Sequence, residues 1–387
     1  MFFAGNAKPS SMRRALPQRL GIDAPVVLVT EAMSLVRERR WPSLAARVRT
    51  RSDVPYLREY TPIHFPERIP VCGAKIRGFG VRTLRHELDC LLVPRGTARR
   101  VVCYDSPTQY PLVGALGEDL SVYLAIDDRT VTVQGEAIAG ELEAERELLA
   151  RVDRVVCVSE PLAETLRARA MGRGNLPIDV LTNGFDERLF MPERAWAEPE
   201  ALRGLPRPRV LVAGHLSERI DWEGIRAASL LRPEWSWVFI GPAEDGMAER
   251  VAHIQAASGA RMLVHPPVPY ESVAAWVAHC DACAVPYRLN DFTRASSPLK
   301  AIEYLACGAP VLATEIPSLL AFNDAISWLR EGDGTSYAAA LDGFSADARS
   351  AAAVERRCRV VRDENWHRKA QSFCELVVGN VQLASGW

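Results

Sequence analysis

The stretch that decides the fold is Ser296–Thr314, which reads SSPLKAIEYLACGAPVLAT. Pro298 suits the first turn of a helix, and Ser297 or the serine before it can cap that helix. Gly308 is typical of a helix end, and Pro310–Thr314 is an apolar, β-rich run. A helix that passes directly into a buried strand predicts a parallel βαβ unit.

Strand-like apolar runs recur on both sides of this stretch. They are Pro25–Thr30, Leu91–Val93, Val101–Tyr104, Val122–Ile126, Val155–Ser159 and Ile178–Leu181 in the first half, and Arg209–Gly214, Trp237–Gly241, Met262–Val264 and Ala282–Pro286 in the second. Helix-like segments alternate with them, for example the acidic Glu136–Leu149 with its apolar residues three or four apart. The alternation predicts an α/β protein built from doubly wound parallel sheets.

A proline-rich join divides the chain into two such blocks. Residues 192–209 hold four prolines among several charged residues, which is typical of a linker. We therefore expect a lead-in over 1–24, a first Rossmann-like domain over 25–192, a linker over 193–208, a second Rossmann-like domain over 209–364, and a terminal helix within 365–387 that packs back on the first domain. The two domains are expected to face a central cleft, because ligands bind outside the carboxyl ends of such strands.

Composition narrows the class of protein. Of the 387 residues, 48% are hydrophobic and 25% are charged, as in an ordinary soluble globular protein. No apolar run reaches the roughly 18–20 residues of a membrane helix, and the first residues lack the regions of a signal peptide. The nine scattered cysteines are expected to be reduced thiols of a cytoplasmic protein. Cys280 and Cys283 form a lone C-x-x-C, without the second pair that a zinc site needs.

The net charge of −1 conceals an asymmetry along the chain. Residues 1–100 carry 19 Lys and Arg against 8 Asp and Glu, whereas the remaining residues carry 28 against 40. A basic first half-domain suits an anionic partner, either a membrane surface or a phosphate-bearing acceptor. A solvated arginine-rich surface is the alternative interpretation. Nucleic acid is not an expected partner, because no finger pattern, RNA-binding signature or lysine-rich tail is present.

Lys300 stands out because the chain holds only four lysines against 43 arginines. It falls in the first turn of the predicted helix, where the macrodipole disfavours a cation. A diphosphate bound at the exposed amides of this turn would explain the lysine. Glu303, one turn further on, can accept hydrogen bonds from two ribose hydroxyls. The alternative is a simple Lys–Glu surface pair at i,i+3 spacing.

Three segments together resemble one family, the GT-B glycosyltransferases. Pro298–Thr314, with Asp281–Tyr287 ahead of it, resembles the nucleotide-sugar site. Val155–Pro161 followed by Val180–Phe190 is similar to the end of the family's first domain, and Gly214–Asp221 with Trp235–Pro242 is similar to the start of its second. The resemblance covers roughly residues 25–370. It is strongest to the bacterial enzymes that build lipopolysaccharide, capsule and exopolysaccharide, including the glucuronosyltransferase type of xanthan assembly.

The resemblance implies a donor site in the second domain. Lys300 would contact the donor diphosphate and Glu303 the donor ribose, while Gly214 and Arg219 would line the loop that approaches phosphate. Three further donor-binding residues are implied, namely Ser297, Tyr287 and Pro267, the last in a stretch that flanks the base. Arg219 could instead pair with Glu218 or Asp221 as a surface cation. Ser296 stands where the common retaining pattern has a Glu, which leaves inversion or retention of configuration open.

The catalytic base is expected from the first domain. Asp127 and Asp128 follow a predicted strand, and the resemblance to the xanthan-type branch implies an Asp of this region as base. A carboxylate is the group that takes the proton of an acceptor hydroxyl as it attacks the anomeric carbon. The two acids are equal candidates, and a turn or helix-cap pair is the alternative. Asp105, after the preceding strand, and His64, near a loop mouth, are expected on the acceptor side.

The sequence therefore predicts a hexosyltransferase that uses neither metal nor cofactor. It would move a sugar from a nucleoside diphosphate sugar to a saccharide acceptor, which could be lipid-linked, in cell-surface or exopolysaccharide synthesis. The expected location is cytoplasmic, with peripheral contact to the anionic inner membrane. Two alternatives stay open: a catalytically degenerate GT-B scaffold or binding module, and an enzyme of similar architecture such as a nucleotide-sugar epimerase or a phosphorylase. The donor sugar, base, acceptor and linkage are not fixed by the sequence.

Overall fold

The computed structural model describes the chain from residue 99 to 379 except for 193 and 345–348, together with shorter stretches before it. Those stretches are residues 2–3, 12–20, 26–29, 33–34, 43–45, 48–50, 57–60, 63–64 and 73–92. The strands are β1 (Phe2–Phe3), β2 (Val26–Val29), β3 (Met33–Ser34), β4 (Val48–Thr50), β5 (Leu57–Tyr60), β6 (Ile63–His64), β7 (Val101–Tyr104), β8 (Leu120–Ala125), β9 (Arg154–Cys157), β10 (Ile178–Val180), β11 (Arg209–Ala213), β12 (Ser236–Ile240), β13 (Met262–His265), β14 (Ala282–Val285), β15 (Val311–Thr314) and β16 (Ile326–Leu329).

Helices alternate with these strands. They are α1 (Met12–Ala15), α2 (Gly73–Leu91), α3 (Glu141–Leu149), α4 (Glu160–Arg169), α5 (Trp222–Leu231), α6 (Met247–Ser258), α7 (Val273–Ala278), α8 (Asp291–Arg294), α9 (Leu299–Ala306), α10 (Gly334–Asp342), α11 (Ala351–Val360) and α12 (Trp366–Val378). Shorter 3-10 helices cover Pro107–Leu112, Glu200–Leu202, Tyr270–Ser272 and Pro317–Ala325. The predicted strand at Leu91–Val93 is wrong, because Leu91 is the last residue of α2.

The strands form two large sheets, one in each half of the chain. The first has the order β10-β9-β8-β7-β1-β2-β5-β4 and is parallel except where β4 meets β5. The second has the order β13-β12-β11-β14-β15-β16 and is parallel throughout. Strands β11, β12, β14 and β15 are buried along their whole length, as expected for a sheet covered on both faces. The prediction of two doubly wound α/β domains is confirmed.

The start of the chain belongs to the first domain, which corrects the boundary predicted at residue 25. Strand β1 lies between β2 and β7 in the middle of the sheet. Behind it, Met12 and Leu16 are completely buried in the core of the same domain. A two-residue strand is too short to show a period in the sequence, so the first strand that can be predicted is the longer β2.

The predicted linker is folded against the second domain. Its 3-10 helix Glu200–Leu202 buries Leu202 in the second domain's core. The buried Arg209 guanidinium donates to the carbonyl oxygen of Leu202 at 2.7 Å, and His279 contacts the carbonyl oxygen of Trp196 at 2.9 Å. The described part of this segment is therefore a fixed element of the second domain.

The chain crosses between the two domains at two adjacent places. Leu181 lies in the first core and Phe185 in the second, while Val361 lies in the second core and Trp366 in the first. The two crossing segments pair with each other: the Phe185 amide donates to Glu364 and the Trp366 amide donates to Phe185, both at 3.0 Å. Beyond the crossing, α12 buries an apolar face in the first core, formed by Trp366, Ala370, Phe373, Cys374 and Val377.

Candidate active site

The donor-side residues lie on and around helix α9, at the carboxyl ends of the second sheet. Pro298 occupies the N-cap position of α9 and no side chain caps the helix, so the cap predicted for Ser297 is wrong. Ser297 contacts the first domain instead: its hydroxyl accepts from the Asn183 amide at 3.2 Å, and its carbonyl oxygen accepts from the Asn183 side chain at 2.7 Å. The loop before α9 thus holds the two domains together.

Glu303 is completely buried one turn into α9. Its Oε2 accepts a hydrogen bond from Lys300 Nζ at 2.7 Å, and its Oε1 accepts one from the Tyr270 hydroxyl at 2.7 Å. The Lys300 side chain is 18% exposed and lies with its Nζ 5.4 Å from the centre of the Tyr270 ring. The i,i+3 pair is formed, but it is not a surface pair, because Glu303 is completely buried. A buried carboxylate depends on its partners far more than an exposed one does.

Arg219 lies on the loop after β11 and stacks on Tyr287, with its guanidinium carbon 4.4 Å from the ring centre. The surface pairing considered for it does not form. Glu218 bonds Arg250 at 2.6 Å, and Asp221 caps α5 through the Gly224 amide at 3.0 Å. The Nε atom of Arg219 is buried and has no hydrogen-bond partner within the described part of the chain.

Gly214 and Gly241 bring two loops together beside Arg219. Gly214 has a φ of 138° and Gly241 a φ of 140°, values that side chains rarely adopt. A Cβ on Gly241 would lie 1.8 Å from the Gly214 carbonyl oxygen. A small cavity opens over this contact, at the carboxyl ends of β11 and β14, and is lined by Gly214, His215 and Tyr287 among others. The amides of Gly214 and Gly241 donate to the carbonyl oxygens of Ile240 and His265, at 2.9 and 3.2 Å, so the two glycines contribute close packing beside the cavity.

Pro267 lies in the loop between β13 and Tyr270. The same loop contains Pro266 and Pro269, and His265 Nδ1 contacts the Pro266 carbonyl oxygen at 2.8 Å. Tyr270, directly after this loop, donates its hydroxyl hydrogen bond to Glu303. The stretch predicted to flank the base therefore contacts helix α9.

Asp127 and Asp128 follow β8 but differ sharply in their surroundings. Asp128 is buried and accepts two hydrogen bonds from Arg169, at 2.9 and 2.8 Å, and two from Thr130, at 3.0 and 2.7 Å. Burial opposes its charge, but the bonds from Arg169 and Thr130 outweigh burial and lower the pKa of Asp128. Asp127 is half-buried and lies close enough to Arg13 to interact with its charge. Asp128 is therefore held in a fixed network, whereas Asp127 is only partly buried and lies within the electrostatic reach of Arg13.

Arg169 also binds Glu145 at 2.7 Å, and Glu145 in turn accepts from the Tyr123 hydroxyl at 2.9 Å. This network of hydrogen bonds holds the carboxyl end of β8 in place. No feature of the sequence marks Arg169, which lies in the last turn of α4, as a partner of Asp128.

Asp105 lies beside the same edge of the first sheet. Its Oδ2 is 3.0 Å from Arg13 Nε, and its Oδ1 accepts from Gln109 at 3.1 Å. Arg129 reaches the Asp105 carbonyl oxygen at 3.5 Å. Burial raises the pKa of Asp105 although Arg13 and Arg129 act in the opposite direction. Arg13, which the sequence placed in a lead-in, thus lies with Asp105 at this edge of the first sheet.

The structure gives less information about His64, the other residue predicted on the acceptor side. His64 lies on β6, which pairs with β3 so that His64 is opposite Ser34. Its side chain lies outside the part of the chain that the structure describes.

The fold is that of the GT-B class, as in sucrose-phosphate synthase and the trehalose-phosphate synthases. Residues 207–347 match the family described as glycosyl transferases group 1. The resemblance found in the sequence is confirmed at that level, while the xanthan-type subdivision stays a prediction.

Three known proteins are similar to the chain in sequence or in structure. It is 31% identical over 255 residues to the D-inositol 3-phosphate glycosyltransferase of Xylanimonas cellulosilytica, across 61% of this chain and 59% of that protein. It is 25% identical over 175 residues to a protein named for teichuronic acid biosynthesis, the glycosyltransferase TuaH of Bacillus subtilis, across 45% and 43%. The matches span about half the length of these relatives. The α,α-trehalose-phosphate synthase (UDP-forming) of Burkholderia xenovorans, solved with glucose-6-phosphate, shares the fold at a TM-score of 0.71 and 13% identity, across 98% and 99%.

The described residues show three further features. No group of three or more His, Cys, Asp or Glu among them is placed to hold a metal ion. The helices in the same part of the chain include none both long and apolar enough to cross a membrane. The eight cysteines that fall within it form no disulfide with one another.

Proposed function

We propose that the protein is a glycosyltransferase that moves a sugar from a nucleoside diphosphate sugar to a saccharide acceptor. The observation that carries the proposal is the Lys300–Glu303 pair at the start of α9, where a fully buried carboxylate is kept beside a lysine. The group 1 domain and the printed names of the relatives support the same activity.

The donor would bind with its diphosphate toward Lys300 and Arg219. Lys300 is the more exposed member of its pair, and Arg219 carries a buried donor atom without a partner among the described residues. The two cations would neutralise the leaving diphosphate without a metal. Glu303 would accept the ribose hydroxyls once Lys300 has moved to the phosphate.

Asp127 would act as the general base. The reaction requires a carboxylate that can accept a proton from the attacking hydroxyl. Four hydrogen bonds occupy the oxygens of Asp128 and lower its pKa, which makes it the weaker base, whereas Asp127 is only partly buried at the same edge of the sheet. Asp128 would then be a structural residue that fixes the backbone from which Asp127 projects.

The acceptor would be an anionic saccharide, such as a sugar phosphate. Arg13 and Arg129 both lie beside Asp105; the Nε atom of Arg129 is buried without a hydrogen-bond partner in the described chain, whereas that of Arg13 pairs with Asp105 at 3.0 Å. One relative is named for inositol 3-phosphate, and the solved neighbour holds glucose-6-phosphate. The relative named for teichuronic acid biosynthesis supports a role in cell-surface polysaccharide synthesis, and the basic residues 1–100 suit contact with an anionic membrane face.

Thermal unfolding with a panel of UDP-, GDP- and dTDP-sugars tests the donor site. A sugar nucleotide that binds the folded state raises the unfolding temperature. Calorimetry with that donor should then show binding to the wild type and none to Lys300→Ala or Glu303→Ala. Lys369→Ala is the matched control, because Lys369 forms another partly buried lysine–glutamate pair, with Glu364 at 2.5 Å. Unchanged donor affinity in Lys300→Ala would refute the proposed site, and binding without transfer to any acceptor would favour a binding module.

A further inference from the structure

Tyr270 contacts Glu303 but has no role in the mechanism proposed above. It begins the 3-10 helix Tyr270–Ser272 directly after Pro269. Its ring packs against Phe190, with the ring centres 5.5 Å apart, and its hydroxyl donates to Glu303 at 2.7 Å. Burial and the charge of Glu303 raise the pKa of Tyr270 far above its ordinary value, so the hydroxyl stays a donor.

Glu303 cannot meet a ribose while its present contacts all remain. It has no exposed surface, and one of its oxygens is held by Lys300 and the other by Tyr270. Ribose hydroxyls therefore reach the carboxylate only if one partner leaves. Lys300 is the mobile partner, since its side chain is 18% exposed and a diphosphate offers its ammonium a stronger anion. Tyr270 is anchored by Phe190 and by the prolines that precede it.

We infer that Tyr270 is a positioning residue for the donor ribose. While Lys300 transfers to the diphosphate and uncovers Oε2, Tyr270 keeps hold of Oε1 and fixes the plane of the Glu303 carboxylate. The inference rests on the proposed donor site and adds a residue to it. A carboxylate with four lone-pair directions can accept from Tyr270 and from two ribose hydroxyls at once.

The consequence is measurable as a preference for ribose. In the wild type, nucleotides with both ribose hydroxyls should bind more tightly than 2′,3′-dideoxy nucleotides, because a dideoxy sugar leaves Glu303 without its partners. Without the Tyr270 hydroxyl the carboxylate is free to rotate, and the ribose preference should fall roughly tenfold, the scale of one hydrogen bond to a charged group. A general loosening of the fold would weaken both kinds of nucleotide equally and leave their ratio unchanged.

The test is calorimetry with UDP and GDP, each paired with its 2′,3′-dideoxy form, on the full chain. Three variants are compared with the wild type. Tyr270→Phe removes the hydroxyl and keeps the ring. Phe190→Leu keeps the hydroxyl and removes the ring's packing partner, and serves as the second variant if Tyr270→Phe unfolds. Tyr104→Phe is the matched control, because the buried Tyr104 hydroxyl donates to Glu118 at 2.6 Å in the other domain.

We expect the affinity ratio to fall in Tyr270→Phe, to fall partly in Phe190→Leu, and to stay at the wild-type value in Tyr104→Phe. A wild type that binds neither nucleotide, or binds ribose and dideoxy forms equally, overturns the donor site at Glu303 and the role of Tyr270 with it. A wild type that prefers ribose while Tyr270→Phe keeps the whole preference overturns the role of Tyr270 alone. Tighter ribonucleotide binding by Tyr270→Phe also overturns it, because the hydroxyl would then occupy the place of the ribose.

Discussion

Removing the charge of Lys300 should destabilise the protein more than removing that of Glu303. Glu303 is completely buried, whereas the Lys300 side chain keeps 18% of its surface in contact with solvent. In Lys300→Met the aliphatic stem is preserved, but a buried carboxylate is left with the Tyr270 hydroxyl as its hydrogen-bond donor. In Glu303→Gln the lysine that remains can turn its ammonium toward water.

The expected sizes follow from that asymmetry. Breaking a buried ion pair by removing one partner costs about 3–5 kcal/mol. Because Tyr270 still satisfies one oxygen, Lys300→Met should lose about 2–3 kcal/mol in the free energy of unfolding. At roughly 2–4 °C per kcal/mol, this corresponds to a fall of about 5–10 °C in the unfolding midpoint. Glu303→Gln should lose only about 1 kcal/mol.

Thermal unfolding of the wild type, the two single variants and the double variant Lys300→Met/Glu303→Gln forms a double-mutant cycle. The double variant has no buried unpaired charge, so it should unfold well above Lys300→Met. None of the three should bind the nucleotide-sugar donor, which separates the stabilising role of the pair from its binding role. A double variant no more stable than Lys300→Met, or Lys300→Met that unfolds with the wild type, would refute the assignment of the carboxylate as buried and charged.

Three further predictions concern the first domain and the glycine contact. Asp127→Asn should abolish transfer while leaving donor affinity unchanged, and Asp128→Asn should chiefly lower the unfolding midpoint; calorimetry, turnover and unfolding measured on both decide this, and an active Asp127→Asn would place the base elsewhere. The lowered pKa of Asp128 adds stability that is present above its ordinary pKa of about 4 and is lost as the pH falls through the folded value. The acid limb of a midpoint-against-pH curve should therefore be flatter in Asp128→Asn, and identical curves would contradict the network with Arg169. Gly241→Ala should lower the midpoint and weaken donor binding, because its methyl group would overlap the Gly214 carbonyl oxygen and its φ is 140°; wild-type binding would contradict the proposed phosphate approach.

The two-domain fold could be predicted because its parallel strands are long, apolar and buried on both faces. The runs at β11, β12, β14 and β15 stand out in the sequence for that reason. Strand β1 has two residues and no period, so its place in the middle of the first sheet was invisible. The prediction of a strand beginning at Leu91 was wrong because Leu91 ends helix α2, and a short apolar run looks alike in a strand and at a helix end.

The candidate site divides in the same way. Lys300 and Glu303 lie one turn apart on one helix, so their spacing alone predicts the contact that forms at 2.7 Å. The partners of Asp128 and Glu303 come from distant elements. Arg169 is 41 residues from Asp128, and Tyr270 is 33 residues from Glu303. Such pairings depend on how helices and loops pack over a sheet, which no local period records.

The paired crossing between the domains bears on how firmly the two halves of the chain are joined. The two connecting segments touch along Phe185 and Asn365, and Gly184 makes this contact possible, because a Cβ there would lie 2.8 Å from the Glu364 carbonyl oxygen. Two tethers this close together act as a single ribbon, so we expect a side chain introduced at Gly184 to push them apart and to loosen the attachment of one lobe to the other.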